Sequence, residues 1–146
     1  MRVSIKHLVD GLGGEQLIKR SVKHDFDLIE VAKDGLPMES VSFLQQNFGF
    51  TNKQMSHLLA ISESTYQRRI RAKSKLSQDE TEKAISLAEV YVKGTDVFRN
   101  QDDFEEWLQS KIPAIGYQRP ADMLDSMIGR QYVMDILNRI IHGIFS

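Results

Sequence analysis

Between Thr51 and Ile70 the apolar residues recur at helical spacing, with Met55, Leu58 and Leu59 at i, i+3 and i+4 and Tyr66 and Ile70 at i and i+4. Thr51-Asn52-Lys53-Gln54 has the order of a capping box, in which a Thr hydroxyl and a Gln amide satisfy the N–H groups that a helix start leaves free. A helix is therefore expected from about residue 52 to 59. Small Ser56 lies where a second helix can cross closely, Ala60-Ile61-Ser62 forms a turn, and Ser62 caps the next helix. Ser77-Gln78-Asp79-Glu80 repeats the capping-box order and opens a helix over 78–93, with Gly94 as its stop.

The same patterning extends outward. A helix is expected over 38–48, after a break at Asp34-Gly35-Leu36-Pro37, and another over 101–110 with Phe104, Trp107 and Leu108 inward. Pro120 suits the first position of a short helix carrying Met123, Leu124 and Met127, which Gly129 closes. A final helix over 130–142 turns Val133, Ile136, Leu137, Ile140 and Ile141 inward. Residues 1–37 are the least informative, since Phe26, Leu28, Ile29 and Val31 suit either a short strand or a helical turn. The expected fold class is all-α. Its expected divisions are an N-terminal segment 1–37 of uncertain structure, a unit 38–94 ending in a bridging helix, and a C-terminal unit 95–146.

Charge changes the picture locally. The net charge of −1 hides five cations against one anion between residues 62 and 75, whereas the stretch 95–110 is strongly acidic. Two short helices, a tight turn and a basic second helix are the outline of a helix-turn-helix. Such a second helix needs short polar groups at its N-terminal turn to meet base edges, a role that Ser64, Thr65, Gln67 and Arg68 fit. Cations further on meet phosphates, and Arg69, Arg71, Lys73 and Lys75 fit that role. A charge run on a helix is often only a solvated face. Here the cap, the small residue, the turn and the cations fall in register.

Other chemistry finds little support. Cysteine is absent, which excludes disulfides and thiolate ligands and suits a reducing compartment, and no apolar run approaches membrane-spanning length. The start of the chain lacks a signal peptide's apolar stretch, so a cytoplasmic location is expected. His7, His24, His57 and His142 are dispersed without ligand spacing, and no nucleophile–base constellation stands out, so an enzyme is not expected. Asp102, Asp103 and Glu106 include an i, i+4 pair but read as solvated acids of a first turn rather than as a metal site. Gly11-Leu12-Gly13-Gly14 lacks the spacing and the Lys-Ser/Thr of a phosphate loop. No cofactor is implied.

The last fifty residues carry a more specific signal. Trp107-Leu108, Gly116-Tyr117-Gln118-Arg119-Pro120, Met123-Leu124-Asp125, Gly129, Val133 and the run Leu137-Asn138-Arg139-Ile140-Ile141-His142-Gly143-Ile144-Phe145 resemble, in order and spacing, the toxin-binding domain of the Xre/MbcA/ParS antitoxins. Leu36-Pro37 and the helix-turn-helix resemble the Xre-like part of the same family, and the likeness spans about residues 35 to 146. One departure is Ala60, where the family often has glycine; an alanine held at positive φ costs about 1 kcal/mol. The resemblance implies a type II antitoxin that blocks the active site of a cognate RES-domain toxin, an NAD-consuming enzyme, and binds its own promoter as a dimer. After the core is subtracted, Tyr117, Arg119, Arg130, Asn138, Arg139 and His142, with the apolar end Ile144 and Phe145, are the expected toxin-binding residues. An apolar chain end can bury against its own core, a second copy or a toxin. The other reading is a free-standing Xre-like repressor whose C-terminal domain only dimerises.

Overall fold

The computed structural model describes residues 3–143. Among them the chain is helical throughout: α1 (Ile5–Gly11), α2 (Gly14–Ile18), α3 (Asp27–Asp34), α4 (Met38–Phe48), α5 (Asn52–Leu58), α6 (Glu63–Ala72), α7 (Gln78–Val97), α8 (Gln101–Gln109) and α9 (Met127–Ile141), with 3-10 turns at Pro113–Ile115 and Pro120–Met123. The all-α expectation holds. No helix among the described residues is long and apolar enough to cross a membrane.

The axis of the molecule is α7. Its 20 residues span roughly 30 Å, and α1, α3, α4, α8 and α9 all pack against it. Ala84, Leu87, Ala88 and Val90 are fully buried along it, so both halves of the chain share one continuous apolar core. Both capping boxes form as the sequence suggests, at Thr51 with Gln54 and at Ser77 with Glu80. The break before α4 is also real. Gly35 adopts φ +87°, and a Cβ there would lie 2.2 Å from the Leu76 carbonyl oxygen, so the close approach of these two strands of backbone requires glycine. The Leu76 N–H donates to the Leu36 carbonyl at 2.9 Å, and the Leu36 N–H donates to buried Thr81 Oγ1 at 2.9 Å, locking the segment before α4 to the start of α7.

Of the two readings left open for residues 26–31 the helical one holds: Leu28, Val31 and Ala32 are the buried face of α3, while Phe26 and Ile29 point outward. Other expectations are corrected. Gly94 does not end α7, which runs three residues further; its missing side chain instead leaves room for the Phe104 ring. Gly129 does not close a helix either. It lies in the first turn of α9, whose cap is Ser126, and Pro120 starts a 3-10 turn rather than an α-helix. Starting α9 earlier than expected leaves Met127 exposed, and Ile141, expected inward, is 39% exposed because the core has ended before the last turn.

Candidate functional site

The helix-turn-helix consists of α5, a turn and α6. Ala60 sits at φ +59°, so the turn keeps the left-handed conformation despite its alanine. The Ile61 N–H then reaches back to the Ser56 carbonyl at 3.1 Å, closing α5. Ser56 is 2% exposed, as a close helix crossing demands. The Ser62 hydroxyl accepts from the Thr65 N–H and starts α6.

One polar network sets the angle of α6. Tyr66 is fully buried and its hydroxyl donates to Gln45 Oε1 on α4. The Gln45 amide donates in turn to the Phe50 carbonyl at 3.1 Å and to Asn52 Oδ1 at 2.9 Å. A buried hydroxyl must have a partner, so the three helices are held in one arrangement. Burial pushes the Tyr66 phenol well above its ordinary value.

The expected DNA-binding residues separate into two groups. Ser64, Arg68 and Arg71 are exposed at i, i+4 and i+7 on one face of α6, with half-buried Gln67 beside them. Lys73 and Lys75 are exposed just beyond the helix, and Thr65 is partly covered, its hydroxyl accepting from Ser62. Arg69 is drawn away from this face. It pairs with Glu80 at 2.6 Å, with 26% and 13% of the two side chains exposed, and so ties α6 to the capping box of α7. Burial opposes ionisation of Glu80, but the Ser77 N–H and Arg69 outweigh it and hold the carboxyl below its ordinary range. Sequence reasoning missed Lys53, exposed in the first turn of α5; its signal was a cation beside a helix-turn-helix cap.

The C-terminal surface is built on α9 and the loop after α8. Asn138, Arg139 and His142 are exposed at its last turns, and Tyr117 and Arg119 are exposed on the loop. Tyr117 holds φ +62° where the Ile112 and Gln118 backbones pair. Arg130 does not join them. It is 6% exposed, its Nε donating to Ser86 Oγ at 2.8 Å and its Nη1 to the Leu124 carbonyl at 3.1 Å. It is a strut between α7 and the turn before α9, and burial lowers its guanidinium pKa despite nearby Asp125. Expected contacts at Ile144 and Phe145 lie outside the described residues.

Two features of this surface escaped the sequence reading. Ile128 and Tyr132 are 76% and 47% exposed, one turn apart on α9. Next to them runs an open groove of about 550 Å³ between the loop (Ile112, Pro113, Ile115) and α9 (Tyr132, Ile136, Ile140), with Trp107 in its wall and Arg139 on its rim. Trp107 is fixed from behind by Phe98 and Phe104, with ring centroids 5.6 and 6.4 Å away. His57 of α5 meets Asp125 at 3.2 Å, an exposed contact between the helix-turn-helix and the turn before α9.

These features define a helix-turn-helix protein whose C-terminal helices pack on the same core and carry an exposed apolar groove. Known proteins specify it further. The model of the antitoxin Xre-like helix-turn-helix domain matches residues 27–89, and that of the antitoxin Xre/MbcA/ParS C-terminal toxin-binding domain matches residues 93–143. The antitoxin Xre of Photorhabdus laumondii is 30% identical over 117 residues, covering 80% of this chain and 79% of the relative. The Prs ADP-ribosylating antitoxin of a Sphingobium species is 26% identical over 129 residues, covering 82% and 81%. The fold is also that of a chain in the Mycobacterium tuberculosis MbcT–MbcA toxin–antitoxin complex, with a TM-score of 0.59 at 19% identity, over 75% of this chain and 96% of that one. The chain belongs to the Xre/MbcA/ParS antitoxin family.

Proposed function

We propose that this antitoxin neutralises a cognate RES-domain toxin, an NAD-consuming enzyme, by seating its C-terminal domain over the toxin's substrate cleft. The observation that carries the reading is coincidence of place: the match to the toxin-binding domain covers residues 93–143, the stretch that bears the exposed end of α9 and its neighbouring loop. Tyr117, Arg119, Asn138, Arg139 and His142 supply polar and cationic groups there, suited to a cleft that accepts a phosphate-bearing substrate. Buried Arg130 acts from behind, shaping the turn before α9.

The same chain represses its own promoter through α6, with Ser64, Gln67 and Arg68 toward base edges and Arg71, Lys73, Lys75 and Lys53 toward phosphates. It does so as a dimer in the cytoplasm, because a two-fold operator asks for two recognition helices. Co-expression with a cognate RES-domain toxin tests the first part: rescued growth and co-purification are expected, and a toxin that remains lethal and unbound refutes it. A promoter mobility shift tests the second. Binding that weakens steeply with salt is expected, and no shift at low salt removes DNA binding.

A further inference from the structure

The groove between α9 and the loop at residues 112–115 has no occupant from this chain among the described residues. Its walls are apolar and aromatic, from Trp107, Ile112, Pro113, Ile115, Tyr132 and Ile140, and Arg139 stands at the rim. An aromatic and aliphatic centre bordered by a cation is the make-up of an interface centre rather than of a solvated face. It is also rigid, since Trp107 is backed by Phe98 and Phe104 and the loop is pinned by the Ile112 N–H donating to the Gln118 carbonyl at 3.0 Å. A preformed groove spends little entropy when it is filled.

We infer that this groove is the anchoring pocket for the toxin: it receives an apolar segment projecting from the toxin's surface. The inference rests on the toxin-neutralising reading above and assigns its apolar anchor, which borders the polar end of α9 at Arg139. Two observations favour a toxin over a second copy. Every residue of the groove falls inside the 93–143 match to a toxin-binding domain. A two-fold contact, moreover, sets a patch against itself, and two concave grooves do not fill one another. Ile128, 76% exposed one turn before Tyr132, continues the apolar surface past the groove's end.

The test is binding of the antitoxin to a purified cognate RES-domain toxin, by calorimetry, alongside sedimentation of the antitoxin alone. Tyr132→Glu and Ile115→Glu place charges in the groove, Ile128→Glu does so beside it at a position safe for folding, and Ile29→Glu on α3 is a control at an exposed apolar residue outside the groove. Groove variants are expected to raise Kd at least tenfold while Ile29→Glu leaves it unchanged and sedimentation is unaltered. Wild-type binding with groove variants equally tight overturns the inference alone. Groove variants that dissociate the antitoxin from itself yet bind toxin normally assign the groove to a second copy and also overturn it. A wild-type chain that binds no toxin overturns the neutralising reading and this one together. Circular dichroism of Ile128→Glu separates lost contact from lost fold; a folded variant with unchanged Kd counts against the inference.

Discussion

Replacing Gly94 by alanine sets two opposing effects against each other. In a helix interior alanine is better than glycine by about 1 kcal/mol, so propensity alone makes Gly94→Ala stabilising. Packing reverses the sign. The new Cβ would lie 2.2, 2.3 and 2.5 Å from Cζ, Cε1 and Cε2 of Phe104, whereas carbon atoms rest at about 3.5–4.0 Å. The ring must retreat by more than about 1 Å, and it cannot retreat freely: Phe48, Tyr91, Phe98 and Trp107 stand around it at centroid distances of 6.1, 6.3, 5.7 and 6.4 Å. Overpacking of a constrained core costs about 3 kcal/mol at the upper end of its usual range, so the net loss is about 2 kcal/mol. Urea denaturation should show a lower midpoint with an unchanged slope, and the melting temperature should fall by about 6 °C. Phe104→Leu in the same chain makes room, so the double variant should lose less than the two single losses combined. A Gly94→Ala chain as stable as the parent refutes the claim that Phe104 needs this notch.

Gly129→Ala is the harsher version, because its Cβ would lie 1.7 Å from the Met123 carbonyl oxygen, which is backbone; a loss of at least about 3 kcal/mol in urea denaturation is expected, and a neutral result contradicts the close approach. Ala60→Gly should stabilise by up to about 1 kcal/mol, since relief of alanine at φ +59° outweighs the entropy that glycine restores to the unfolded chain; a lower melting temperature counts against it. Arg130→Ala should cost about 3 kcal/mol while Arg130→Met, which keeps the volume but leaves the Leu124 carbonyl without its donor, should cost about 1–2 kcal/mol; equal losses would contradict a packing contribution. The carboxyls of Glu15, Asp27 and Glu80 are held below their ordinary values, the first two chiefly by backbone N–H groups and Glu80 against its own burial. Depressed carboxylates stabilise the fold above their ordinary values and lose that contribution as pH falls through the lowered ones, so stability should decline below about pH 4.5, with a shallower acid limb in Glu80→Gln; a midpoint unchanged down to pH 3 refutes it.

Helical existence was legible wherever a cap and a periodic stripe coincided, as at Thr51, Ser62 and Ser77, because both signals are local. Glycine was the least legible residue. Gly35 was read correctly as a break, yet Gly94 and Gly129 were read as stops when each is a notch inside a helix. The two uses look alike in one dimension, since what distinguishes them is an aromatic ring or a carbonyl brought in from elsewhere in the chain. The segment 26–31 was ambiguous for a related reason: a short apolar run has no period of its own, and its packing on α7 decides that it is helical.

The same limit governs the candidate sites. Periodicity gives the face on which a side chain stands but not what covers that face, so Arg69 and Arg71 shared one role until Glu80 was found against Arg69. Covering is also what removed Arg130 from the interface, buried by α7 from a segment more than forty residues away. The converse error is as instructive. Ile128 and Tyr132 carry no signal in the sequence pattern, and they stand exposed because the core beneath α9 does not reach that side. An apolar residue left outside by a complete core is stronger evidence of a partner than a polar residue on the surface, because the polar one is already satisfied by water. On that ground the groove beside Tyr132, more than the cations at the end of α9, is where the energy of toxin capture should reside, and the cations are better suited to steering and orientation.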